Sequence, residues 1–363
     1  MVKKIIFFLT LILPVLFPSS AQAQSDIYLE TKVISVDQQE QRQVLGNQVT
    51  YQKLKLLITK GESKGETIIV ENGLFPIANP QIYQVNHRLL IAQTPDFNGN
   101  NVYNIVDYIR RDALLLITLV FLIITLIIAR LKGLTSILAM LFSFFIIFIL
   151  ILPQILAGKS PILITLVGSA IIIPVTFFLS HGFNQKTYIA ILSTLISLSV
   201  TGFLAMFFVH IGRLTGFSSE EAAFLQAQTF GSVNIKGLLL SGIIIASLGI
   251  LDDVTISQSA IVQQLIKANP AQKASHLFSS AMSIGRDHIA SMVNTLILAY
   301  TGAAMPLLLL FVSGTRPFSE VINYEIIAEE IIRTLVCSIG LILAIPLTTI
   351  LAVRFFKTTH ESD

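Results

Sequence analysis

Hydrophobic and polar positions divide the chain into three unlike stretches. Residues Ile5 to Phe17 are apolar, behind Lys3 and Lys4 and ahead of Ala21-Gln22-Ala23. Between Tyr28 and Ile109, short runs rich in β-branched and aromatic residues are separated by Gly, Asn, Pro and charged positions. Beyond Asp112 the polar interruptions thin out, leaving uncharged windows at 113–129, 133–158, 160–180, 187–209, 237–251, 289–315 and 334–353. A window of about 20 apolar residues spans about 30 Å of hydrocarbon as a helix, so these seven predict about seven transmembrane helices.

The first stretch has the basic, apolar and small-residue order of a bacterial-type secretory signal over residues 1–23. Pro14 and Pro18 interrupt it, and it is short for a span. An export signal places residues 24–111 outside the cytoplasm. There the pattern predicts strands at Tyr28–Val36, Val49–Ile58, Glu66–Glu71, His87–Gln93 and Val102–Ile109. Gln52-Lys53-Leu54-Lys55-Leu56 alternates with period two, as a half-buried strand does, and Gly61 to Gly65 reads as a hairpin loop. Five short strands in this length predict an extracytoplasmic small β-barrel, OB-like, with no cysteine to brace it.

Composition agrees with the pattern. Hydrophobic residues make up 53% and charged residues 12%, with mean hydropathy +0.77, where soluble domains carry about 25% charged residues. A soluble globular enzyme is excluded. The net charge of +3 gives no basis for a nucleic-acid partner. Residues 1–112 hold 21 of the charges, a polar head before a membrane body at 112–355 and a tail at 356–363. With the β domain outside, the alternation puts Arg130, Lys132, Lys186, Lys267, Lys273, Arg286, Arg354 and Lys357 inside. Only Lys159, Arg213, Lys236, Arg316 and Arg333 fall outside after the first span, in line with the positive-inside rule; Arg110 and Arg111 oppose it. The chain is thus expected in the bacterial cytoplasmic (plasma) membrane, with its C-terminus cytoplasmic.

Two polar clusters interrupt the apolar body. Only 15 uncharged residues separate Lys236 from Asp252, about 22 Å of helix, so Asp252 and Asp253 lie at or inside the inner rim. Gly242, Ala246, Gly249 and Asp253 share a helical face, and small residues suit close helix packing, so that face is expected to be buried with Asp253 aimed into the bundle. In the competing reading, the Asp pair caps a following amphipathic helix, although capping needs only one of them. The second cluster is Arg286, Asp287 and His288 with Ser291 and Asn294; Asp287, Ser291 and Asn294 share a face. Arg286 or His288 is placed to pair with Asp252 or Asp253, while interfacial anchoring plus an interhelical Asn hydrogen bond is the alternative. Carboxylates with Thr255, Ser291 and Asn294 oxygens suit a hard cation or a proton relay; Arg286 suits a carboxylate or phosphate. Elsewhere, Ser218-Ser219-Glu220-Glu221 reads as the start of a short outer helix. No metal-ligand spacing, phosphate loop or paired nucleophile and base is visible, so neither cofactor nor catalytic residue is assigned.

Lys236 to Ile245 leading into Leu251-Asp252-Asp253-Val254-Thr255, and Gly285-Arg286-Asp287-His288-Ile289 followed by Asn294-Thr295-Leu296, resemble the YibE/F-like family of bacterial membrane proteins. The resemblance implies a multi-pass body behind an export signal and a small β domain, and implies no particular activity.

The residues themselves favour a membrane transporter or permease component driven by an ion gradient, its path passing Asp252, Asp253, Thr255, Arg286, Asp287, His288, Ser291 and Asn294. The alternative is a non-transporting scaffold whose β domain binds an envelope protein. Partners on either reading are the lipid bilayer and, for the body, further copies of the chain.

Overall fold

The computed structural model describes residues 27–44, 46–61, 63–74, 81–95, 101–314 and 316–360, in two compact units, Met1–Ile124 and Thr125–Asp363. The export signal expected at 1–23 lies outside the described residues.

The first unit holds five antiparallel strands, β1 (Ile27–Val44), β2 (Asn47–Ile58), β3 (Thr67–Asn72), β4 (Arg88–Pro95) and β5 (Asn101–Tyr108), in the order β3-β2-β1-β4-β5. Four lie close to their expected positions. β1 runs eight residues further than its apolar alternation, because Asp37 to Arg42 are all polar; pairing with β2, out to Val44 opposite Asn47, holds them extended. The sheet is a half-barrel. Its edges, β3 and β5, approach each other, but no ladder joins them among the described residues. The loop expected at 61–65 is present, with Gly61 and Gly65 at φ 101° and 97° and Gly65 N–H donating to Ile58 C=O at 3.0 Å.

Leu29, Val33, Leu54, Leu56, Ile58, Val70, Leu89 and Ile91 fill the concave side. Gln52 joins them fully buried. Its Nε2 donates to Tyr83 C=O at 2.9 Å and its Oε1 accepts from Tyr83 N–H at 2.8 Å, so one side chain replaces a missing strand for that loop. Gln52→Leu leaves both Tyr83 groups without these partners and is expected to destabilise the β unit by about 1–3 kcal/mol, read as faster hydrogen exchange at residues 81–84 and along β2.

Arg110 and Arg111, the two cations on the unexpected side of the first span, are neutralised locally. Arg111 pairs with Glu30, Arg110 with Asp107 at 2.5 Å, and Arg88 of β4 with Asp112. The Arg111 guanidinium holds the Glu30 carboxyl below its ordinary value. Because the folded value is the lower one, the pairing stabilises above the ordinary carboxylate range and is lost as pH falls through the folded value. The unfolding temperature of the β unit should therefore fall between about pH 5 and pH 3, and less steeply in Glu30→Gln.

The second unit is helical from its start inside α1. The helices among the described residues are α1 (Arg111–Ile146), α2 (Leu152–Leu156) after a π-helical turn at Ile147–Ile151, α3 (Pro161–His181), α4 (Gln185–Ile211), α5 (Glu220–Gln228), α6 (Ile235–Ala268), α7 (Ala274–Ala303), α8 (Met305–Val312), α9 (Phe318–Val321) and α10 (Glu325–His360). Among the described residues, five stretches are long and apolar enough to cross a membrane: Arg111–Leu156, α3, α4, α6 and Glu325–Thr358. α7 and α8 are long and apolar enough only when taken as a pair, and the pair is bent by 69° ahead of Pro306, as a broken span or a re-entrant loop is. The seven uncharged windows map onto these, the first two sharing Arg111–Leu156. That stretch is broken at Arg130 (φ 51°, ψ −130°), so sharply that a Cβ on Gly133 would lie 2.6 Å from the Thr125 carbonyl oxygen. In a straight helix those residues are about 12 Å apart. The helix is thus sharply kinked between the first two windows.

α4, α6 and α10 pack on one another at the centre, α3 covers α4 and α6, and α7 lies along α10. Ile173, Phe177, Ala190, Ile244, Leu251, Val254, Leu341 and Ile345 form the main core. A second cluster, Ile189, Val262, Ile266, Leu277, Ala281, Ala352, Val353 and Phe356, packs the far ends of α4, α6, α7 and α10. Phe356 is buried and α10 continues to His360, so the helix runs past the expected start of the tail at 356 and packs its first residue into the bundle. At the opposite end the expected short helix is present as α5, Ser219 Oγ accepting from Ala222 N–H at 3.2 Å. Glu325 there accepts from Thr215 and Gly216 N–H at 2.5 and 2.8 Å, and Arg333 pairs with Glu329 at 2.6 Å and Glu330 at 2.9 Å.

Candidate functional site

α6 starts with an Asn234 cap, its Oδ1 accepting from Gly237 N–H at 2.9 Å, and runs unbroken to Ala268. Asp252 and Asp253 lie in its middle. No helix begins at either, which rules out capping as their role. The face they belong to also differs from expectation. Leu240, Ser241, Ile244, Ser247, Leu248, Leu251, Thr255, Gln258 and Val262 form the packed side. Gly242, Gly249 and Asp253 are exposed, and a Cβ on either glycine would meet nothing within 4 Å. Aliphatic and hydroxyl side chains form the seam with neighbouring helices, and the small residues mark the side left open.

That open side forms one wall of a cavity of about 590 Å³. Thr125, Ala129, Lys132, Gly133 and Ser136 from the α1 bend face it, with Ser180 and His181 at the end of α3, Lys186 at the start of α4, and Gly249, Asp252, Asp253 and Ile256 of α6. Asp252 is half-buried, and its Oδ1 is fully covered with no hydrogen-bond partner among the described residues. Asp253 is more open and close enough for its charge to act on His181, as do those of Lys186 and Lys132. Behind the carboxylates, Thr255 of α6 and Thr194 of α4 share a 2.7 Å hydrogen bond that fixes the two helices at this level. Two carboxylates, two ammonium groups, an imidazole and the hydroxyls of Thr125, Ser136 and Ser180 thus share one recess, a set able to exchange protons or hold a small charged solute. Among the described residues no three His, Cys, Asp or Glu are grouped to hold a metal ion.

The second sequence cluster lies elsewhere. Arg286, Asp287, Ser291 and Asn294 are exposed on α7 and His288 is half-exposed; none of them faces the cavity. The ion pairs of the described residues include neither Arg286 nor His288, so the expected pairing with Asp252 or Asp253 is not made. Gly285 explains why α7 turns this way: a Cβ there would lie 2.6 Å from Ile345 Cγ2, so the glycine side must face α10 and the polar side outward. Conversely, Lys132 and Lys186 stand in the sequence only as topology marks, and His181 has no partner at metal-ligand spacing that would single it out. The signal that could have joined them was positional: each closes or opens a window on the side where Asp252 ends its own.

The YibE/F-like protein family model matches residues 117–358, and this match takes in the bend, the cavity residues and α7. No curated protein and no solved structure matches the chain. With two thirds of its length matched, including every helix that lines the cavity, the chain belongs to the YibE/F-like family.

Proposed function

We propose that this protein is an ion-gradient-driven transporter or permease component of the bacterial cytoplasmic membrane, and that its polar path runs through the Asp252–Asp253 cavity. In this reading the membrane is crossed seven times, the β unit lies outside and the C-terminus inside. The observation that carries it is the covered, unpartnered Asp252 Oδ1 at the wall of a recess between apolar helices. A carboxylate held in such a place costs desolvation energy and is retained where an ion or proton uses it. The end of α3, the start of α4, the α1 bend and the point where the uncharged window of α6 stops at Asp252 all fall on the side that the alternation of windows assigns to the inside. The route therefore lies among α1, α3, α4 and α6 and leaves out α7.

The test is purified protein in vesicles loaded with a pH or sodium indicator, under an imposed potential. Protein-dependent ion movement is expected. Movement of neither ion overturns the reading, and a phenotype lost on deleting residues 24–108 but kept in Asp253→Asn supports the scaffold instead.

A further inference from the structure

The geometry points to a second site with a different purpose: we propose that the open face of α7 is a two-fold interface at which a second copy of this chain docks, helix against helix.

Asp287, Ser291, Asn294 and Leu298 recur at i, i+4, i+7 and i+11, and all are exposed. Gly285 and Leu296, on the opposite side, are buried. Arg286 flanks the exposed stripe and, like Asp287, has no ion-pair partner among the described residues. Asn294 lies inside an uncharged window of 27 positions, 289–315, where lipid offers its carboxamide no hydrogen bond. Any occupant must therefore supply a carboxylate, a guanidinium and an amide at fixed levels.

A second copy related by a two-fold axis along the helix supplies all three. Residues then meet counterparts at their own level. Asp287 then lies across the axis from the partner's Asp287, and Arg286 of each copy, flanking the stripe one position away, reaches over to pair with the partner's carboxylate. Asn294 carries both a donor and an acceptor and pairs with its own counterpart, as does the Ser291 hydroxyl. Ala290 and Gly302, exposed at the margins of the stripe, leave room for the two backbones to approach. A lipid headgroup can answer Arg286 but leaves Asp287 unpaired, and lipid tails leave Asn294 without a hydrogen bond; an unrelated partner has no reason to carry this register.

The interface is independent of the transport reading, since no residue of α7 lines the cavity. Cys337, the sole cysteine, is buried, so single cysteines can be introduced along α7 in Cys337→Ala and oxidised in native membranes. Cross-linked dimer of twice the chain mass should peak at positions 287, 291, 294 and 298 and vanish at 289, 292 and 296. Asn294→Leu should weaken self-association of the full chain by about 3- to 30-fold, measured by energy transfer between labelled copies in micelles. A flat cross-linking profile, a product of another mass, or unchanged association in Asn294→Leu each overturns the proposal.

Discussion

Asp252→Asn is expected to abolish or cut ion movement by about tenfold or more while leaving the protein as stable as before, or more so. The two halves of this expectation come from the same atom. Oδ1 is covered and makes no hydrogen bond, so an isosteric amide breaks none. Replacing a carboxylate by a neutral group also removes a desolvation cost from the folded state. Stability and function should thus part company, as they do where a site is held at the expense of the fold. Asp253→Asn, at an exposed position, should change stability little and reduce transport as well. Unfolding temperature in detergent and flux in vesicles, measured on one preparation, check both. Wild-type flux in Asp252→Asn sinks the proposed path; lost flux with lost stability would make the residue structural.

Gly133→Val should have the larger structural effect. At 2.6 Å from the Thr125 carbonyl oxygen, even a single Cβ forces the two arms of the α1 bend apart, and the branched side chain meets Thr125 and Ala129 as well. Overpacking of this kind costs about 1–3 kcal/mol or more. The same displacement carries Thr125, Ala129, Lys132 and Ser136 off the cavity. A reduced unfolding temperature with reduced flux is expected, where Gly249→Val, with open space around its Cβ, should leave stability unchanged. Equal unfolding temperatures for Gly133→Val and wild type would show that the bend is not closed as described.

Much of the fold was legible because it rests on periodicity. Runs of β-branched and aromatic residues between turns marked four strands closely, and period-two alternation put Gln52 on the same side as Leu54 and Leu56, where it is buried. It could not show that Tyr83 would satisfy the amide, a contact 31 positions away. Polar Asp37–Arg42 gave no alternation to read, and only the β2 ladder makes it strand. In the membrane body, uncharged length marked the helices, but the rule that small residues seek helix contacts misled at Gly242 and Gly249. There the packed seam is built from Ser, Thr and β-branched residues instead, at positions a helical wheel ranks no higher. Of the candidate site, Asp252 and Asp253 were visible as charges too early in a span. Their companions were not, because Lys132, His181 and Lys186 sit on three other helices and become neighbours only through the bend and the crossing order.

The unbroken course of α6 has a mechanical consequence. At 34 residues it is about 51 Å long, well beyond the 30 Å or so of hydrocarbon, with the carboxylates near its midpoint. Its far half is gripped by Val262 and Ile266 among the ends of α4, α7 and α10. With no kink to absorb motion, any twist applied to that gripped end reaches Asp252 and Asp253 undiminished. The helix is a shaft with its handle outside the apolar slab and its working groups inside.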